Sequence, residues 1–139
     1  MSRCTLIDTG PLVAFLKRQD SFHDWAVAEW KKLKLPLLTC EAVIVETCFL
    51  LRDTYAGQET VTSMISDGII QVPFRLEDEV VAVRELMKQY HSVPMALADA
   101  CLVRMTELYP NSNLFTLDSD FRIYRKNRNQ EIVVILPTG

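Results

Sequence analysis

Arg3-Cys4-Thr5-Leu6-Ile7-Asp8-Thr9-Gly10-Pro11-Leu12 is the stretch that decides the fold. Its first half, Arg3 to Ile7, is a short apolar run, the pattern of a strand covered on both faces. Asp8 ends the run and Gly10 marks a turn. Pro11 suits the first position of a helix, which continues from Leu12 to Lys17. A buried strand that ends on an acid and turns into a helix opens a parallel α/β sheet. In such sheets, sites form beyond the carboxyl ends of the strands, so Asp8 stands where chemistry can be done.

The same unit recurs outward along the chain. Ser21 predicts the N-cap of a helix reaching Lys34, with Phe22, Trp25, Ala26, Trp30 and Leu33 on its apolar stripe. Pro36 to Thr39 predicts a second strand, and Cys40 to Asp53 a strongly apolar helix. Gln58 to Ser66 is a short helix between the breaks at Gly57 and Gly68, and Ile69 to Val72 a third strand. Leu76 to Tyr90 is amphipathic, with Val80, Val83, Met87 and Tyr90 inward, and Pro94 starts a helix ending near Tyr109. Asn113 to Leu117 is a fourth strand, followed by Asp118-Ser119-Asp120 and a short basic helix. Ile132 to Leu136 is the last strand. Strands alternating with helices imply a parallel sheet between helical layers.

At 139 residues the chain is expected to form one domain, residues 1–139. An apolar fraction of 49% and a charged fraction of 24% exclude a disordered or fibrous chain. Fifteen basic against eighteen acidic residues leave a net charge of −3, so only a local basic patch could serve nucleic acid. No apolar run approaches the ~18 residues of a membrane span, and Asp8 interrupts any signal-peptide core. A soluble, cytoplasmic protein with no membrane partner is expected. Cys4, Cys40, Cys48 and Cys101 form no C-x-x-C pair and read as reduced, apolar-packed thiols.

Four carboxylates stand in unusual places. Asp8 and Asp118 each follow a strand and precede a helix; each is either a site acid or an N-cap. Glu46 has Ala42, Val43, Phe49 and Leu50 at its helical neighbour positions, which sets a carboxylate into an apolar face. Burying it unpaired would cost several kcal/mol or force it to protonate. Glu41, ~140° around the helix, suits the helix dipole instead. Asp99 repeats the Glu46 pattern among Met95, Ala96, Leu102 and Val103. Asp120 is either a further cap or the edge of the same site. If the sheet gathers these acids, like charges ~4 Å apart repel by ~4 kcal/mol at an effective dielectric of ~20. Protons or metal ions must then neutralise them, and all-oxygen ligands favour Mg²⁺ or Mn²⁺.

Leu6-Ile7-Asp8-Thr9-Gly10-Pro11-Leu12, Glu46 in its apolar helix, Ala98-Asp99-Ala100 and Thr116-Leu117-Asp118-Ser119-Asp120-Phe121 together resemble the PIN-domain ribonucleases. More narrowly, the chain is similar to the VapC-type toxins of toxin–antitoxin pairs, from Leu6 to Leu136. The resemblance implies a three-layer α/β/α fold with a central parallel sheet. It also implies an acidic pocket for one or two Mg²⁺ or Mn²⁺ ions and endonucleolytic cleavage of RNA. Asp8, Glu46, Asp99 and Asp118 match the family's acidic positions, Thr9 and Thr116 its supporting hydroxyls, and Asp120 a further acidic position. Similar sequences often carry a second Asp three residues before Asp99; here that residue is Ala96, and Asp99 is taken as the metal residue. A cognate antitoxin and a homodimer are the partners the resemblance implies.

Arg122, Arg125, Lys126 and Arg128 follow Asp118 closely and are candidates for phosphate contacts; the alternative is a solvated helix face. Two other Mg²⁺ enzymes fit less well. A haloacid-dehalogenase-type phosphatase needs Asp-x-Asp after the first strand, where Gly10 stands, and a receiver domain needs an Asp ending the third strand. A non-catalytic PIN-like module that only binds RNA or a protein stays open beside the nuclease.

Overall fold

The computed structural model describes residues 3–138; residues 1, 2 and 139, which the single-domain expectation includes, lie outside that range. The chain folds in the order β1 (Cys4–Ile7), α1 (Thr9–Leu16), α2 (His23–Trp30), β2 (Leu37–Leu38), α3 (Glu41–Leu50), α4 (Gly57–Ser66), β3 (Ile70–Gln71), α5 (Leu76–Gln89), α6 (Leu97–Leu108), β4 (Ser112–Phe115), a 3₁₀ turn (Ser119–Arg122), β5 (Arg125–Lys126), β6 (Gln130–Glu131) and β7 (Val134–Ile135). Five strands form one parallel sheet in the order β3-β2-β1-β4-β7. β5 and β6 form a separate antiparallel hairpin.

Alternation along the strands builds the layers. Leu6, Leu38 and Leu114 share a core with Val83 and Leu86 of α5 and Ala98, Cys101, Leu102 and Met105 of α6. Their neighbours Ile7, Leu37 and Phe115 point the other way, into a core with Leu12 and Ala14 of α1, Ala26 of α2 and Met64 of α4. α3 bridges the two cores, Val43 entering the first and Ile44 the second. The fold is the expected three-layer α/β/α sandwich on a central parallel sheet, with six helices around five strands among the described residues. The tryptophans serve packing: Trp30 stacks on Phe15 at 3.8 Å and Trp25 tilts against Phe115 at 5.4 Å.

Several elements differ from expectation. α1 starts at Thr9 because Asp8 accepts the Thr9 N–H and acts as the cap, leaving Pro11 inside the first turn. α2 lacks the Ser21 cap and stops at Trp30; Asp20 instead takes the Phe22 N–H. α6 starts at Leu97 rather than Pro94, since Asp99 reaches back to the Ala96 N–H while the Pro94 carbonyl accepts the Tyr124 hydroxyl. Val80 and Met87 of α5 are exposed, and only Val83, Leu86 and the following Tyr90 seal the core. The basic helix after Asp120 is a 3₁₀ turn and then a hairpin. Its loop places Asn127 and Arg128 at φ 48° and 72°, a left-handed pair that a helix excludes. All four cysteines are free thiols. No described helix is long and apolar enough to cross a membrane.

Candidate active site

The site begins where β1 and β4 end side by side. Ile7 pairs with Phe115, and the Asp8 N–H donates to the Phe115 carbonyl at 2.9 Å. The Thr39 hydroxyl, just past β2, donates to the Ile7 carbonyl at 2.7 Å. Asp8 is thus fixed at the strand tip with only 8% of its surface exposed. Its Oδ1 accepts the Thr9 N–H and its Oδ2 the Thr116 hydroxyl, both at 2.7 Å. Asp8 is therefore the N-cap of α1 and also lines the pocket at the strand ends.

Thr116 ties the two strand-end acids together. Its Oγ1 donates to Asp8 and accepts the Asp118 N–H at 3.0 Å. Asp118 in turn caps the 3₁₀ turn by accepting the Asp120 N–H at 2.9 Å. From across the site α6 presents Asp99 in its first turn, where Oδ2 accepts the Ala96 N–H at 2.9 Å. Ala96 has no side-chain acceptor of its own, so Asp99 alone starts this helix.

Asp8, Glu46, Asp99 and Asp118 line one open pocket of about 450 Å³, with Thr9, Gly10, Leu50 and Leu117 completing its wall. No Lys or Arg lines it. Burial pushes the Asp8 carboxyl above the usual carboxylate range; hydrogen bonds from Thr116 and Thr9 oppose this, and the charges of Glu46 and Asp118 add to it. Asp99 is pushed up to about 6, first by burial, against its Ala96 hydrogen bond, and then by the charges of Asp8, Asp118 and Glu46. The acids feel one another's charge.

Glu46 needs a correction. The sequence sets it in a dry apolar face, yet it is exposed. α3 turns Val43 and Thr47 inward and leaves Val45 69% and Phe49 60% exposed, so the carboxylate sits at a rim rather than in a core. Thr9 is buried, and its Oγ1 has no hydrogen-bond partner. Asp120 is half-buried and outside the pocket wall; its backbone, not its carboxylate, serves Asp118. Among the described residues, no three His, Cys, Asp or Glu side chains are drawn together tightly enough to hold an ion as placed. The acids form an open basin rather than a closed cage.

The basic candidates divide. Arg122 is exposed on the 3₁₀ turn that Asp118 caps. The Arg125 guanidinium donates through one nitrogen, Nη1, to the carbonyls of Arg122, Ile123 and Tyr124. Lys126 is 8% exposed and donates to the Pro110 carbonyl, and Arg128 lies with Arg104 and Glu107 at the far end of α6. The hairpin therefore carries Lys126 and Arg128 away from the pocket they were expected to flank. Gly10, read from the sequence as a turn residue, lies instead in the first turn of α1 and lines the pocket. A Cβ added there would meet Leu117 at 3.1 Å, so its bareness lets α1 close against the segment leading to Asp118.

The PIN-domain family profile matches residues 5–127. Among solved structures, the chain is similar to Mycobacterium tuberculosis VapC20, a sarcin-ricin loop cleaving toxin, with a TM-score of 0.70 and 19% identity over 84% of this chain and 91% of that one. No curated protein matches the chain. A match covering nearly the whole length, on a fold with the acids gathered at the strand ends, places the chain in the PIN-domain family.

Proposed function

We propose that this PIN-domain protein is a Mg²⁺- or Mn²⁺-dependent endoribonuclease of the cytoplasm, the toxin of a toxin–antitoxin pair. The observation that carries the proposal is one pocket lined by Asp8, Glu46, Asp99 and Asp118 and by no basic residue. The donor set fits the ion: all-oxygen, acidic and hard. The buried, unpartnered Thr9 hydroxyl on the same wall fits it too. Asp8, Asp99 and Asp118 would hold the ion directly or through water. Glu46 would serve a second ion or the attacking water.

When bound, the ion supplies Lewis-acid polarisation of the phosphate and a coordinated water of lowered pKa. The protein's own part is positioning. The Thr9 amide and the Thr116 hydroxyl, each 2.7 Å from an Asp8 oxygen, hold that carboxylate in one orientation before substrate arrives. Exposed Glu46 is free to accept a proton at its carboxylate from water attacking phosphorus. Arg122 can meet a flanking phosphate. The likeness to VapC20, a sarcin-ricin loop cleaving toxin, supports an RNA substrate and a cognate antitoxin. Exposed Val45 and Phe49, on the helix that carries Glu46, offer apolar surface for that partner or for a second copy in a homodimer.

The test is cleavage of a panel of structured RNAs with Mg²⁺ or Mn²⁺ by the wild type and by Asp8→Asn. The substitution is expected to lower the rate by about 100-fold or more, the upper end of what losing a metal's outer-shell partner costs. Undiminished cleavage would remove the assignment. The open spacing of the acids favours one second reading, a non-catalytic module that binds RNA or a protein. RNA binding by the wild type without cleavage in either metal would select it.

A further inference from the structure

We infer that the groove between the loop after α1 and the turn after α3 is the track along which single-stranded RNA enters the acidic pocket. The inference rests on the ribonuclease reading above and adds where the substrate lies. A basin of four carboxylates repels a polyanion, so the substrate strand needs cations along its approach to the site. Lys126 and Arg128 do not supply them. The groove does.

It has a volume of about 780 Å³ and is lined by Lys17, Arg18 and Arg52, with Asp53 as its one carboxylate. Leu50 belongs to both its wall and the wall of the acidic pocket, so the two adjoin at that residue. Leu50 lies one helical turn beyond Glu46, about 6 Å along α3. Along α1 the rise from Asp8, its N-cap, to Lys17, its C-cap, is about 13 Å. That separation suits a strand whose scissile phosphate sits over the acids while neighbouring phosphates meet the cations.

The groove's side chains are available. Among the described residues, Lys17, Arg18 and Arg52 form no ion pair. The Arg52 guanidinium lies 4.0 Å over the Phe49 ring and donates one N–H to the Phe49 carbonyl at 2.8 Å, which holds it flat. Tyr55 is 99% exposed on a turn closed by hydrogen bonds from Thr54 to Leu51 and from Gly57 to Thr54. An aromatic face presented in full beside unpaired cations is the combination that binds single strands, bases stacking while cations follow the phosphates.

The experiment measures binding of a labelled, mixed-sequence, single-stranded RNA of about 12 nucleotides. It is read by fluorescence anisotropy in EDTA across a salt series, beside cleavage assays with Mg²⁺. Arg18→Ala and Arg52→Ala are expected to weaken binding and each to reduce the log Kd against log salt slope by about 0.7. Tyr55→Ala is expected to weaken binding about fivefold or more with the slope unchanged, and Tyr55→Phe to restore it. All four should melt like the wild type; the three alanine variants should raise KM more than they lower kcat, and Tyr55→Phe should leave both near the wild-type values. A wild type that cleaves RNA, with variants unaltered in Kd and slope, overturns the inference and leaves the ribonuclease reading standing. Variants that lose an acidic protein partner but keep RNA binding also overturn it. A wild type that neither binds nor cleaves RNA ends the ribonuclease reading and this inference with it.

Discussion

In the later turns of α6, Arg104 meets Glu79 at 2.7 Å and Glu107 at 3.0 Å; in the first turn of the same helix, Asp99 feels Asp8, Glu46 and Asp118 in a pocket with no basic lining. Both groups are acidic and partly shielded from water. The far group carries its own counter-ion and shares Glu107 with the Asn127 N–H of the hairpin, so its charge is used in holding α5, α6 and the hairpin together. The near group has only neutral donors: Thr9, Thr116, Ala96 and Asp120. Neutral donors orient a carboxylate without cancelling its charge. Acids left uncancelled under partial burial are a cost to the fold and an attraction to a cation from outside, which is how pocket acids are told apart from structural ones.

Three measurements sharpen or break that contrast. The largest effect is metal. Titration with Mg²⁺ or Mn²⁺ is expected to raise the melting temperature, approaching about 2.7 kcal/mol of stabilisation at one hundred times Kd. Asp118→Asn should suppress the rise; a rise that survives in this variant would mean the ion binds elsewhere. Next is Arg104→Met, which leaves Glu79 and Glu107 without their partner. Because all three side chains keep some exposure, about 1–2 kcal/mol of destabilisation is expected in urea unfolding, less than a fully buried pair would lose. An unchanged midpoint would put both clusters on the same footing.

The smallest effect has the opposite sign. In EDTA, Asp99→Asn should raise the melting temperature near pH 7 by about 1–3 °C while still accepting the Ala96 N–H. The folded carboxyl titrates near 6, above the ordinary ~3.9, so the folded state holds its proton more tightly than the unfolded chain does. The metal-free protein is therefore more stable below about pH 4 and loses that stability as pH rises through 6. The gain from Asn should fade towards pH 4; a gain that persists in acid would have another origin.

The parallel sheet was legible because its strands are continuous apolar runs at regular intervals, and both sides of each strand found a helical layer. The pocket acids at the strand tips were legible for a local reason: Asp8 and Asp118 stop an apolar run where a helical turn begins. Glu46 was legible in position but not in environment. A helix rich in apolar residues need not bury them all, and periodicity does not say that Val45 and Phe49 face water. The hairpin was hidden because its loop uses Asn127 and Arg128 at positive φ without a glycine to announce it. Its basic residues then looked like neighbours of Asp118, when Lys126 instead donates to the carbonyl of Pro110 beyond α6. The cations of the α1 and α3 loops carry no motif; only the fold brings Lys17 and Arg52 together.

Gly10 turns a missing atom into a spacing rule. Leu117 stands 3.1 Å from where its Cβ would be, so a single methyl would act as a shim between the helix that Asp8 starts and the segment that leads to Asp118. The seat of α1 beside the segment that leads to Asp118 thus depends on a position that bears no charge, and Gly10→Ala would require Leu117 to give way by a few tenths of an ångström.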